Sequence, residues 1–441
     1  MNIRKGMILI PALFFLLVSC ISTKHHAYSE VDAEVKTGSF EQALAVIDDE
    51  EGNVRRNIYT TRNEILLYLD RGMVNHYAGF YEESSRDLQM AEQLIEEAFT
   101  RSISQEIGTF LANDNARNYP GEDYEDMYIN VFGALNYYHK QDIDSALVEI
   151  RRMNEKLSFF ADRYEKAKQK AVSSNDKMNV NELPVEASSF SNSALARYLG
   201  MLFYRGTGRA DSARIDSEEL HRAFALAPLI YYNPVPSSVK DELSVPANKG
   251  RLNIIAFTGL SPIKEPQNIV IPLPLPFPNN TAKLSIPQMI DRPSIVEYVE
   301  VLVNSGDRFR LELLEDMGEV ARETFKSQRG LIILKTTARA ITKAVVSSVA
   351  AETVSRRQGG GMGLLVGLVG RVASDASEQA NVRLLRFFPS RALVGAVNLD
   401  PGVYTVTVNY HGRNGRLINS EEKEINVRAN ALNLGQFFFL N

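Results

Sequence analysis

From about residue 31 to 227 apolar positions recur every three or four residues. Ile65, Leu66, Leu69 and Met73 mark one run, and Val148, Ile150 and Leu157 another. That period predicts amphipathic helices. Proline is sparse there, with Pro120 and Pro184 falling at loops. From residue 228 the pattern changes. Pro228, Pro234, Pro236 and Pro246 precede a strand-like RLNIIAFTG that begins at Arg251. Prolines then crowd the chain from Pro262 to Pro293, which excludes helix and the interior of a sheet. The stretch IPLPLPFP alternates proline with hydrophobes and reads as an edge segment laid across the domain, with a polyproline ligand as the alternative. SIVEYVEVLVNSGDRFRLELLED predicts a β-hairpin. Val296 and Tyr298 open the alternation, Asn304 to Asp307 form the turn, and Phe309, Leu311 and Leu313 resume it. LDPGVYTVTVNYHGRNGRLINSEEKEINV predicts a further antiparallel set, with turns at Asp400 to Gly402 and Gly412 to Gly415. LGQFFFLN supplies a last strand, and the stretches 250–315 and 383–441 join in one β domain.

Between those stretches, residues from Gly330 return to a helical period. Lys335, Arg339 and Lys343 share one face, and Ala340, Ala344 and Ser348 form a row of small residues. GGGMGLLVGLVG follows at 359–370, where Gly359, Gly363 and Gly367 line one helical face. Two rows of small residues let two helices approach closely. A glycine-rich helical hairpin inserted in the β domain, over 316–382, is the expectation. No GxxxxGK[ST] phosphate loop is present. Arg357 and Arg371 bracket a stretch of roughly 20 Å as a helix, short of a membrane core of about 30 Å. Insertion into a membrane surface and self-association through the glycine face are the other readings.

The N-terminus reads MNIRKGMILIPALFFLLVSC. Arg4 and Lys5 precede an apolar run from Met7 to Val18, and the run ends at Leu17-Val18-Ser19-Cys20. This resembles a bacterial lipobox. The resemblance implies a lipoprotein signal peptide over 1–19, acylation of Cys20, and a polar lipidated tether over 20–30. Multiple acyl chains anchor firmly. Cys20 is the only cysteine, so disulfides within the chain are excluded. Ile21 rather than aspartate follows it, which favours the outer membrane, facing the periplasm.

The helical half contains echoes. GSFEQALAVI begins at Gly38, GFYEESSRDLQMA at Gly79, QDIDSALVEIRRM at Gln141 and GRADSARIDSEEL at Gly208. Each joins a turn to a small residue that opens an amphipathic helix, which resembles the second half of a tetratricopeptide repeat. Gly72 and Tyr137 sit where the first helix of that repeat carries its small and aromatic residues, and Pro228 ends the array. The spacing between Ala43, Ser84, Ala146 and Ala213 exceeds the usual repeat, so extra helices such as 86–111 intervene. The expected fold class is α+β. A tetratricopeptide-like helical solenoid (31–227) precedes an antiparallel sandwich-like domain, whose first half (228–315, with the proline-rich connector) and second half (383–441) flank the inserted hairpin.

Composition is globular, at 44% hydrophobic and 23% charged. The formal net charge of -5 gives no basic footprint for nucleic acid. The six histidines lack metal spacing, and HExxH, CxxC and GxSxG are absent. No catalytic residue, metal or cofactor is expected. One stretch, 118–152, gathers Tyr119, Tyr124, Glu125, Tyr128, Glu149, Arg151 and Arg152. Tyrosines and arginines anchor interfaces, so these are the candidate protein-binding residues, with packing between repeats as the alternative.

The lipobox, Y-x-G-x-x-Y-E at Tyr119 to Glu125, ALNYY…D…ALVEIRR and the terminal LDPGVYTVTV together resemble a family of uncharacterised bacterial envelope lipoproteins with tetratricopeptide-like repeats. The resemblance implies location and architecture and carries no activity. The expectation is a non-enzymatic, membrane-anchored adaptor for envelope protein complexes. A glycan- or lipid-binding module built from the β domain and hairpin is the alternative.

Overall fold

The computed structural model describes residues 27–104, 117–173, 188–272, 281–330, 332–333, 336 and 380–441. Cys20 and the row Ala340, Ala344, Ser348, Gly359, Gly363 and Gly367 lie outside them. The chain is mixed α and β. Among the described residues nine helices lead: α1 (Ser29–Thr37), α2 (Phe40–Asp48), the short α3 (Asn53–Asn57), α4 (Glu64–Ala78), α5 (Tyr81–Ser104), α6 (Asp123–His139), α7 (Ile143–Ser173), α8 (Ala194–Gly206) and α9 (Ala210–Leu226). The segment 86–111, expected as an extra helix, begins inside α5. The expected tether ends sooner than residue 30, because Ala27 and Tyr28 are already in the core.

Four helical hairpins share one turn. Gly38, Gly79, Gln141 and Gly208 all take a left-handed backbone, with φ of 79°, 82°, 62° and 72°. Each turn makes the same pair of backbone bonds. Gly38 N–H reaches Val35 O and Ser39 N–H reaches Glu34 O; the bonds after Gly79, Gln141 and Gly208 repeat that spacing. This is the Schellman closure of a helix C-terminus, which glycine accommodates without a Cβ penalty. Five residues beyond each turn stands Ala43, Ser84, Ala146 or Ala213, every one fully buried. A larger side chain there would separate the two helices of the pair.

Ten strands follow. β1 (Gly250–Leu260), β6 (Glu312–Asp316), β7 (Pro389–Leu399) and β10 (Asn433–Phe439) form one sheet in the order β10-β1-β7-β6. β4 (Tyr298–Val303), β5 (Arg308–Arg310), β8 (Gly402–His411) and β9 (Leu417–Val427) form a second, in the order β5-β4-β8-β9. β2 (Ile263–Pro272) and β3 (Thr281–Ile290) pair only with each other, Pro266 opposite Pro287. The flanking residues 263–272 and 281–290 are therefore a separate two-stranded ribbon, while 273–278 of the IPLPLPFP stretch lie outside the described residues. Both of its strands are edges, where a missing N–H is tolerated.

Two further expectations are corrected. The hairpin predicted over 294–316 breaks at Leu311: β5 pairs with β4, while β6 crosses to pair with β7 in the other sheet. The final strand is not antiparallel. The connection 428–432 carries the chain from the second sheet back to the first, so β10 runs parallel to β1, with Leu252 opposite Asn433.

β1 is buried along its whole length, which accounts for its unbroken apolar run. Ile255 and Phe257 face the helices; Leu252, Ile254 and Ala256 face the second sheet. The triple phenylalanine of β10 divides the same way: Phe438 joins the helical core, and Phe437 and Phe439 the core between sheets. Helices, first sheet and second sheet thus form three layers, and the hydrophobic core of the helices continues into the first sheet without a break. A tenth helix, α10, occupies 317–330 directly after β6.

Candidate functional site

The Tyr119–Tyr128 stretch opens α6. Gly121 has φ +78, and the ring-bearing residues on either side turn inward. The side chains of Tyr119, Tyr124, Glu125 and Tyr128 are at most 1% exposed. They are not a recognition surface, and the reason lies downstream. The segment 384–388, which leads into β7, passes over the first turn of α6 and covers it.

That segment is irregular, so its backbone groups need partners from elsewhere. Glu125 Oε1 accepts from Leu385 N–H at 2.6 Å. Asp70 Oδ1 accepts from Arg386 N–H at 2.6 Å and Phe387 N–H at 3.3 Å. Arg292 Nη2 donates to Arg386 O at 2.6 Å, Tyr77 Oη to Phe387 O at 2.8 Å, and Ser261 N–H to Phe388 O at 2.8 Å. The rings of Phe387 and Phe388 then pack on Tyr28, Tyr124, Tyr128 and Phe132. A strip of chain is clamped through the centre of the molecule by side chains from α4, α6 and the residues flanking the ribbon.

The carboxylates of the clamp are themselves held. Tyr119 Oη donates to Glu125 Oε2 at 2.7 Å, and Glu122 N–H to the same oxygen at 2.9 Å. Tyr59 Oη donates to Asp70 Oδ2 at 2.8 Å. Glu122 forms a buried ion pair with Lys264 on β2, whose ammonium also lies over the Phe325 ring. Arg386 stacks on Tyr28 and bonds Asp32, with Nε to Oδ1 at 2.8 Å. Burial pushes Asp70 up to about 7, against the pull of the N–H groups it accepts. Burial and then the neighbouring Glu122 raise Glu125. Burial, and then Arg386, lowers Arg292 to about 10.

Two further polar clusters join layers. Glu315 on β6 accepts from Tyr128, Ser193, Tyr231 and Leu195 N–H. His76 on α4 meets Asn136 Oδ1 through Nδ1 at 2.6 Å and Gln436 Nε2 through Nε2 at 2.8 Å, while Gln436 Oε1 meets His139. Burial lowers His76 to about 3, so it is a neutral hydrogen-bond bridge between α4, α6 and β10.

The other predicted residues lie apart from this centre. Glu149 and Arg152 are on α7, with Glu92 of α5 bonding Arg152 at 2.6 Å. Asn130 of α6 donates to both Glu92 and Glu149, and Lys156 ties Glu92 to Asp126. Arg151 points to solvent. Beside this network a shallow recess runs between α5, α6 and α7, with Gln89, Gly133, Tyr137 and Glu149 on its walls. Glu149 and Arg152 are thus brought together at the recess, while the three tyrosines and Glu125 are taken into the core.

Sequence reasoning missed Asp70, His76 and Glu315, although each left a trace. Asp70 stands four residues after Leu66 and four before Val74, on the buried stripe of α4. Glu315 continues the apolar parity of Phe309, Leu311 and Leu313. A titratable residue on an apolar stripe is the mark of a buried, hydrogen-bonded group.

Among the described residues no group of three metal-ligating side chains occurs, and no helix is long and apolar enough to cross a membrane. No family model matches the chain, and neither does any characterised protein or solved structure.

Proposed function

We propose that the protein is a lipid-anchored envelope lipoprotein, held through Cys20 at the periplasmic face of the outer membrane, and that it serves as a non-enzymatic adaptor for other envelope proteins. The helical half is read as a tetratricopeptide-like solenoid. Its support is the turn repeated at Gly38, Gly79, Gln141 and Gly208, each followed at the fifth position by a buried small residue. The two facing sheets support a sandwich-like reading of the second half, with one parallel pair.

The observation that carries the adaptor reading is the recess between α5, α6 and α7. Stacked helical pairs leave such a surface on one side of the array. Along it Gln89 donates to Tyr137 Oη at 3.0 Å and Glu149 accepts from Asn130, and Arg152 stands at its rim with its side chain 41% exposed. The carboxylates Asp70, Glu125 and Glu315 lie deeper, and donors of the fold itself occupy them. This moves the docking surface from the tyrosines of α6 to the α5 and α7 walls.

The test is crosslinking of the native lipidated protein in cells, beside Gln89→Ala/Arg152→Ala. Glu92 and Glu149, the two acids that Arg152 pairs with, are nearly buried, so the melting temperature of the variant is measured beside the crosslinking to establish that it folds. A stoichiometric envelope partner, reduced about tenfold in the variant, is expected; a tenfold loss is about 1.4 kcal/mol of binding. A partner undiminished in the variant, or no protein partner at all, would sink the reading.

A further inference from the structure

We propose that the open edge of β9 is a docking site for an extended basic segment of a partner protein, which adds to the second sheet as a fifth strand. The edge shares no residue with the α5–α7 recess, so the inference stands apart from the adaptor reading.

The direction of the β9 backbone follows from its neighbour. Thr405 O accepts from Asn304 N–H at 3.1 Å, and His411 O from Glu297 N–H at 2.7 Å. Both donors flank β4, so the odd-numbered residues of β8 turn their backbone groups toward β4. In an antiparallel sheet a residue directs its N–H and C=O to the same side, and the side alternates along the strand. Val403, Thr405, Thr407 and Asn409 stand opposite Asn426, Glu424, Glu422 and Ser420. The backbone groups of those four β9 residues therefore point away from β8. All four residues are exposed, and among the described residues no backbone hydrogen bond takes up their outward groups.

The other edges are blunted. Among the described residues the two sheets end at β5, β6, β10 and β9. β5 has three residues, and β6 has five with a register shift between Leu313 and Glu315. Lys423 of β9 reaches over to β10, where its Nζ donates to Gln436 O at 2.7 Å and lies over the Phe437 ring. β9 keeps an unbroken register with β8 from Asn419 to Val427 and contains no proline. Short, irregular or covered edges resist a further strand, and a long regular one accepts it.

Charge selects the strand. Ser420, Glu422, Glu424 and Asn426 share the outer face of the sheet, while Lys423, opposite the buried Val406, belongs to the inner face. Glu422 meets Thr407 Oγ1 at 3.4 Å, and neither Glu422 nor Glu424 has an ion-pair partner among the described residues. An added strand sets a residue about 5 Å from each of them, where lysine or arginine is favoured and a like charge is repelled. A second copy of this chain is a poor occupant. Aligning the four outward residues of each copy sets Glu422 against Glu424 of the other copy.

The experiment is titration calorimetry on the full-length protein in a nonionic detergent, at low salt. The probe is an eight-residue peptide that alternates lysine with threonine or valine. Strand addition places the lysines opposite the outward residues of β9, so their N–H groups bond to the edge and those of threonine and valine face away. Three controls follow: glutamate in place of every lysine, N-methylation at the lysines, and N-methylation at the threonines and valines. The lysine peptide is expected to bind at least tenfold tighter than the glutamate peptide and the lysine-methylated one, and within about twofold of the other methylated peptide. Glu422→Lys/Glu424→Lys, at exposed positions, is expected to reverse the charge preference. Glu424→Pro removes an outward N–H, and it is expected to weaken binding at least tenfold with the melting temperature near that of the parent. No binding of the lysine peptide, equal binding of the two methylated peptides, or unchanged binding in the charge-reversed variant would overturn the proposal. So would a dimer of the protein alone, seen by light scattering and lost in Glu424→Pro, which would identify a second copy as the occupant.

Discussion

Glu315→Ala is expected to destabilise the protein by about 3–5 kcal/mol, from the void left by a fully buried side chain and the donors it strands. Glu315 is fully buried, and four donors converge on it: Tyr128 Oη at 2.5 Å, Tyr231 Oη at 2.6 Å, Ser193 Oγ at 3.0 Å and Leu195 N–H at 3.2 Å. They arrive from α6, from the residues after α9 and from the start of α8. Truncation leaves a void and deprives three segments of the helical half of their common acceptor at once. Each donor stranded in the core costs about 1–3 kcal/mol. Partial relief is available, since Tyr231 Oη also reaches Asn192 O, which is why the costs do not simply add. The carboxylate also sits at the N-terminal end of α8, where negative charge is favoured. Glu315→Gln keeps the shape and one acceptor oxygen, so a loss of only about 1–2 kcal/mol is expected. Chemical denaturation of the three proteins checks this. An alanine variant within about 1 kcal/mol of the parent would mean that the junction is not held by this side chain.

The elements that were legible in the sequence are those whose pattern is local. The echoes at Gly38, Gly79, Gln141 and Gly208 carry their own cause: a left-handed turn residue, then a small residue that must be buried five positions later. The alternation in β4 and β8 is likewise complete within each strand. What could not be read is what covers what. Tyr119, Tyr124 and Tyr128 have the composition of an interface, and they do form one, but with residues 384–388 of the same chain. The crossing at Leu311 was hidden for the same reason. The apolar parity of Phe309, Leu311 and Leu313 runs on smoothly, although the strand changes sheet between them. Parity reports which side of a strand is apolar, and both sheets bury an apolar side. The parallel pairing of β10 depends on where a five-residue connection deposits the chain, which no period in FFF records. The clamp acids were the readable part that was passed over. Asp70 interrupts an otherwise apolar stripe, and such an interruption marks a partner elsewhere.

Asp70 also makes stability fall as pH rises from about 4 to about 8. The ordinary value for its carboxyl is 3.8, and burial lifts it to about 7 in the folded chain. The fold therefore favours the protonated form. Below about pH 4 the acid is neutral in folded and unfolded chains alike, and its contribution is fully present. Above that the unfolded chain ionises freely while the folded chain holds its proton, so unfolding gains ground with each unit of pH. Once the pH passes about 7 the folded site must ionise too, and the contribution is gone. A shift of this size corresponds to about 2–4 kcal/mol over the whole window. Glu125, raised by burial and by Glu122, adds a decline of the same sign. Asp70→Asn isolates the part that belongs to Asp70. The amide cannot titrate and keeps an oxygen to accept Arg386 N–H. At pH 5 the variant is expected to be less stable than the parent, and by pH 8.5 the gap should close by about 2–4 kcal/mol or reverse. Denaturant unfolding at the two pH values gives the difference of differences, from which every other titrating group cancels. Hydrogen exchange at the Arg386 and Phe387 amides, the two that Asp70 accepts, should quicken in the parent over the same range by more than base catalysis alone gives, so that their protection falls. An equal gap at both pH values would show that the buried acid carries its charge throughout.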